Sequence, residues 1–192
     1  NDLCVLADTS IVYNHDVDVV LPKKSHQLAY NAITNEGCDA VYPFGCGIYQ
    51  WAVTYGDQLL DKFLSSHDGD DFDLNVLNDS KVRIPSSIGW GQMITKSCEV
   101  SAGFWNENFI SWGAEDCEFY YRLNLFGFNV GRVNDDIYHF EHGRTFNSHY
   151  HNPKFQDNDR LWNWIRTQDK ENLIKYYNTL GYIKQRGGEI KC

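Results

Sequence analysis

At 192 residues, with 42% hydrophobic and 15% aromatic content, the chain has enough apolar material for one domain with a real core, which excludes a largely disordered protein. A formal net charge of -9 excludes a phosphate-backbone partner, because nucleic-acid binders release counterions from basic patches, and a small polar ligand is expected instead. No apolar run approaches the roughly 20 residues that span a bilayer, and the first residues lack the basic start and apolar middle of a signal peptide, so a soluble chain without a transmembrane segment is expected.

The stretch "SIVYNHDVDVVLP" (10 to 22) runs from β-branched and aromatic residues into three polar positions and Pro22, the pattern of a buried strand ending in a loop. Ser25 is the expected N-cap and Gly37 the expected stop of a helix over 26 to 36, and "CDAVYPF" supplies a further strand, completing a strand-helix-strand unit. A short helix from Asp57 to Phe63 precedes "SSHDGDDFDLNVLNDS" (65 to 80), read as a mobile acidic surface loop. Its Asp68, Asp70, Asp71 and Asp73 do not have EF-hand spacing. "GWGQMITKSCEVSAGF" (89 to 104) reads as a strand entering a short helix, with Gly89 and Gly91 permitting close backbone approach.

In "NFISWGAEDCEFYYRLNLFGFNV" (108 to 130), Phe119, Leu123 and Phe126 have helical spacing and Gly127 ends the element, so Glu115 and Asp116 fall at a helix N-terminus. "FNVGRVN" then gives a strand, followed by a His-rich segment. From about Asp157 to Leu180 the apolar spacing predicts one or two C-terminal helices stopped by Gly181. The dispersed cysteines Cys4, Cys38, Cys46, Cys98, Cys117 and Cys192 contain no CxxC pair, so reduced structural thiols are expected, with bridges in a secreted or lumenal protein as the alternative that an even count permits.

Three constellations carry chemistry. Alternation along an extended strand would put Asp16 and Asp18 on one side, able to share a divalent cation, although acids after strands are also common in solvated loops. Glu115 and Asp116 either complement a helix dipole, worth about 0.3 to 1 kcal/mol, or form the polar part of a sugar pocket whose wall is Trp112, Gly113 and Ala114. In "HFEHGRTFNSHYH", His139 and His142, with His149 and His151 beyond them, are metal-ligand types that also occur as structural or surface residues.

The order of "DVDVVLP", a Gly-rich strand near residue 90, "FWNENFISWGAEDCEFYYRLNLFGFNV" and H-x-x-H resembles metal-dependent inverting glycosyltransferases of the GT-A fold, over residues 10 to 150. The nearest type is the galactosyltransferase C-terminal one, with β1,4-galactosyltransferases, polypeptide N-acetylgalactosaminyltransferases and chondroitin-polymerase-like enzymes. The resemblance implies an α/β, Rossmann-like GT-A fold, a mixed sheet flanked by helices, with its N-terminal nucleobase-binding part lacking. It implies a catalytic domain over 1 to 151 and a helical extension over 152 to 192.

By the same resemblance, Asp18 and Asp16 help bind Mn2+ or Mg2+ and the donor diphosphate, His142 is the further metal ligand and His139 its competitor. Asp116 is the general base, Glu115 holds acceptor hydroxyls, Trp112 and Gly113 line the acceptor site, and Gly91 and Gln92 approach the donor sugar. The expected partners are a UDP-sugar donor and a glycan, lipid-linked or protein acceptor. The expected setting is cytoplasmic and membrane-associated, with a Golgi-like lumen as the other choice. A non-catalytic carbohydrate-binding remnant and a metal-dependent hydrolase or glycosidase are the rival readings; adjacent acids diverge along a chain, whereas glycosidase carboxylates flank one bond. The hinge reads Gly-Ala where many relatives have Gly-Gly.

Overall fold

In a computed structural model describing residues 1–85 and 87–190, helices and short strands alternate along the chain. They are α1 (Asp2–Leu6), β1 (Ile11–His15), β2 (Val19–Val20), α2 (Lys23–Glu36), β3 (Ala40–Tyr42), β4 (Gln50–Val53), α3 (Asp57–Ser65), β5 (Lys81–Arg83), β6 (Gly91–Thr95), α4 (Lys96–Ala102), α5 (Glu115–Phe126), β7 (Val130–Arg132), β8 (Ile137–Phe140), α6 (Phe155–Ile165), α7 (Lys170–Thr179) and α8 (Gly181–Gln185). The strands form two four-stranded sheets, ordered β1-β6-β3-β7 and β2-β8-β4-β5. In the second, β8 runs parallel to β4 and antiparallel to β2, while β5 pairs antiparallel with β4. Mixed sheets flanked by helices are consistent with a Rossmann-like fold.

The chain divides into two compact units, each discontinuous in sequence. The first contains Asn1–Val12, Ile94–Val130 and the chain from Gly143 onward; the second contains Tyr13–Met93 and Gly131–His142. In the first, the core gathers Phe109, Ile165, Leu173, Ile174, Tyr177, Ile183 and Ile190, so the helices beyond residue 152 build that core together with α5. Helix α5 turns Glu118, Phe119, Arg122 and Leu123 inward, a stripe repeating every four residues. Arg122 and Glu118 are fully buried and form a bidentate pair at 2.7 and 3.0 Å, and Arg122 also donates to the Phe104 carbonyl at 2.8 Å. In the second unit, Val53, Phe63, Leu77, Tyr138 and Phe140 form a separate cluster between the mixed sheet and α3.

Several boundaries depart from the sequence expectation. Strand β1 stops at His15, its residues only partly buried, and Asp16 to Asp18 form a turn with Val17 fully exposed. Ser25 does not cap α2: the helix starts at Lys23, and Ser25 is buried with its Oγ donating to Asp135 Oδ2 at 2.7 Å. Gly37 does take the left-handed cap, at φ 74°. The 65 to 80 segment is ordered by its own acids, since Asp68 Oδ1 accepts from the amides of Asp70 and Asp71, and Asp73 caps a 3-10 turn, Leu74–Ser80, that buries Leu77. Asp71 Oδ2 accepts from the Lys23 amide at 3.1 Å, and Asp70 pairs with the Lys23 ammonium. Gly181 opens α8 rather than ending the helical region, because Leu180 in extended conformation has already closed α7. Among the described residues, Cys4, Cys38, Cys46 and Cys117 are free thiols; Cys192 lies outside the described residues. No described helix is long and apolar enough to cross a membrane.

Candidate functional site

Strand pairing assembles a donor group in the second unit. Antiparallel register sets Val19 opposite His139, and the Phe140 amide donates to the Asp18 carbonyl at 2.8 Å, which fixes the residue ending the acidic turn beside strand β8. Asp18 Oδ2 then lies 2.8 Å from His142 Nε2 and 3.5 Å from His139 Nε2, with all three ligand atoms within 4.8 Å of one another. Ligands about 2.0 to 2.2 Å from a shared ion must themselves lie roughly 3 Å apart, so the spacing fits a divalent cation bound by nitrogen and oxygen.

The set is supported from outside. Glu141 Oε1 is 2.9 Å from His139 Nδ1; with the proton on Nδ1, the imidazole presents its Nε2 lone pair toward Asp18. The Trp90 ring stacks on His139 with centroids 5.4 Å apart and planes at 19°. Trp90 holds φ 45°, a left-handed conformation for a bulky residue between two glycines. Neither Glu141 nor Trp90 was singled out from sequence, although a carboxylate two positions from a ligand His in a strand was the available signal for the first.

Asp16 is not in the donor group found among the described residues. The turn replaces the alternation that would have aligned it with Asp18, and its amide donates to the Trp90 carbonyl at 3.1 Å. Desolvation, then the Asp18 charge, raises its carboxyl above the usual range. Gly91 leaves ordinary contact space toward Tyr13 and His15. Gln92 is buried, its Nε2 donating to Tyr42 Oη at 2.8 Å while its Oε1 has no hydrogen-bond partner.

The acid pair belongs to the first unit, where Glu115 and Asp116 open α5 as the spacing implied. Ahead of them the backbone takes three positive φ values, 62° at Ser111, 142° at Gly113 and 66° at Ala114. Glycine suits such positions, and an L-residue there costs about 1 to 2 kcal/mol, so the Ala114 departure from a Gly-Gly hinge retains strain. A Cβ on Gly113 would meet Asn158 Nδ2 and Phe155 Cδ2 at 3.3 Å each.

Side chains from distant segments hold the hinge. Buried Asn152 donates to the carbonyls of Ile110 and Trp112 at 3.2 and 3.0 Å, and buried Asn158 accepts from the Ile110 amide at 3.1 Å while donating to the same two carbonyls. Trp112 remains 39% exposed and stacks on Phe155 with planes at 14°, leaving part of an aromatic surface open. Glu115 Oε2 accepts from the Gly113 amide at 2.8 Å, tying one of its oxygens to the hinge. Burial, then Asp116 and Glu115, pushes the neighbouring Cys117 thiol up, so it stays protonated at neutral pH. His149 and His151 pack around Tyr150 in the segment after the metal-type histidines and are not in the donor group.

Residues 80–145 match the family model described as the N-terminal domain of galactosyltransferase. The matched span contains Trp112 to Asp116, His139 and His142, and begins after Asp16 and Asp18. No curated protein matches the chain. Over that span the match supports a likeness to a galactosyltransferase-type family.

Proposed function

We propose that the chain is a metal-dependent inverting glycosyltransferase of GT-A type that moves a hexose or N-acetylhexosamine from a UDP-sugar to an acceptor hydroxyl. The observation that carries this reading is the match over 80–145, which takes in both the acid pair and the two histidines whose Nε2 atoms converge on Asp18.

Asp116 is assigned as the general base. It lies in the first turn of α5 and is assigned to take the proton of an acceptor hydroxyl, a role worth typically 100- to 10,000-fold in rate. Glu115, one oxygen anchored by the Gly113 amide, is assigned to hold a second acceptor hydroxyl, with the open face of Trp112 beneath the sugar ring. Asp18, His139 and His142 are the residues that would hold Mn2+ or Mg2+, and Asp16 is assigned to the donor beside them. When bound, the cation would neutralise charge developing on the leaving diphosphate. Gly91 and Gln92 are kept as donor contacts, Gln92 through its unpartnered Oε1.

The test is UDP release across a panel of UDP-sugars with Mn2+ and oligosaccharide acceptors. Asp116→Asn is expected to lower the transfer rate 100-fold or more with Mn2+ affinity unchanged; transfer at the wild-type rate would remove the base assignment. Oligosaccharide binding without any consumption of nucleotide-sugar would favour the non-catalytic remnant.

A further inference from the structure

Between Gly89 and Gly91 the chain makes a three-residue turn, the Gly91 amide donating to the Gly89 carbonyl at 2.5 Å, and its central residue is Trp90 at φ 45°. Turns of this hand are rare and strained, and a bulky side chain at their centre is a genuine outlier. From that position Trp90 reaches both segments that supply the cation-type donor group. Its carbonyl accepts from the Asp16 amide at 3.1 Å, which ties down the turn leading to Asp18. Its ring stacks on His139 in β8, with centroids 5.4 Å apart and planes at 19°, and meets Phe44 at 6.1 Å. A glycine at position 90 would make the same turn and offer the same carbonyl without strain, so what the tryptophan adds is its ring. Strained backbone persists where the surroundings over-determine it, and it clusters at functional sites.

We infer that Trp90 is a positioning residue for the cation, holding the His139 imidazole by its face and favouring the state in which that ring is a ligand. This rests on the cation reading of Asp18, His139 and His142. An imidazole that shares its Nε2 lone pair with a divalent ion becomes electron-poor, and the negative face of an indole attracts it more strongly than it attracts the neutral ring. The stack therefore gains on loading, and an interaction stronger in the bound state raises affinity. Glu141, in contact with Nδ1, sets the direction of the imidazole within its plane, whereas Trp90 sets its tilt. A phenyl face supplies part of this attraction, and an aliphatic side chain supplies none.

The test measures Mn2+ affinity by titration calorimetry, and the melting temperature without metal, for the full chain and for Trp90→Phe, Trp90→Leu, Trp90→Ala and Trp90→Gly. Trp90→Leu is expected to weaken Mn2+ binding by about 5- to 30-fold, with Trp90→Phe recovering part of the loss. Trp90→Gly should melt above Trp90→Ala, the reverse of the ordinary order, because glycine releases the strain of the turn. It should nevertheless bind Mn2+ no better than Trp90→Ala, since both lack the ring. A residue that merely packs would give affinities that follow the melting temperatures across the four variants, and that result overturns the inference, as does wild-type affinity in Trp90→Leu. Asp18→Asn distinguishes the two levels. Mn2+ binding that is lost in Asp18→Asn but unchanged in Trp90→Leu removes the role of Trp90 alone. Binding absent from the wild type, or untouched by Asp18→Asn, removes the cation reading and the role of Trp90 with it.

Discussion

The two units hold their chemistry by different means. In the second, backbone pairing does most of the positioning: the β2–β8 register sets Asp18 beside His139, and Glu141 and Trp90 need only orient a ring already in place. In the first, the acids follow a hinge that no regular hydrogen-bond ladder defines, with three positive φ values held by amide side chains from Asn152 and Asn158. A site built on sheet register should tolerate loss of a supporting side chain, keeping its shape while its affinity falls. A site built on a clamped hinge should lose both together.

The largest expected effect lies beneath the hinge. Arg122→Leu leaves the Glu118 carboxylate buried without its partner, and should destabilise the protein by about 3 to 5 kcal/mol in denaturant unfolding. A loss under 1 kcal/mol would mean that the pair is not the support of α5. Next comes Asn158→Ala, which strands the Ile110 amide and leaves the Ile110 and Trp112 carbonyls to Asn152 alone; a cost of about 1 to 3 kcal/mol should accompany slower sugar transfer at unchanged Mn2+ affinity. If Mn2+ affinity fell with it, the contrast between the units would fail.

Glu141→Gln is the matching test on the sheet side. Weakening the support of His139 should lower Mn2+ affinity roughly 10- to 100-fold, with little change in unfolding free energy. Equal affinity would show that register alone orients the imidazole.

How far the sequence went follows the same division. Asp18, His139 and His142 were legible as metal-ligand residue types, and the structure brings them together without Asp16. Strand β6 with α4, and α5 with its Gly127 stop, followed from periodicity and breakers. The Asp16–Asp18 turn was read as strand because alternation cannot register where pairing stops, and Ser25 was read as a cap because its long-range bond to Asp135 is invisible locally. Asn152, Asn158 and the Arg122–Glu118 pair were missed for a common reason: a polar residue that folds inward looks like surface until its distant carbonyl or ion partner is known.

The smallest expected effect is a pH slope. Burial raises the Glu99 pKa above 4.5, so the folded chain favours the protonated acid, and the stability this adds is full below 4.5 and is lost as pH rises through the folded value. Glu99→Gln should flatten that decline in a series of thermal melts; an unchanged slope would assign it to other groups.

Helix α2 follows Pro22, which offers no side-chain cap, and receives one from Asp71, 48 residues further along the chain from Lys23. Such borrowing joins two segments into one opening event: when the acidic segment lifts away, the first turn of the helix loses its acceptor and frays with it. Amide exchange from Lys23 through His26 should therefore keep step with exchange from Asp68 through Phe72. The stretch of acids read from sequence as a mobile surface loop would then act as a removable fastener for a distant helix.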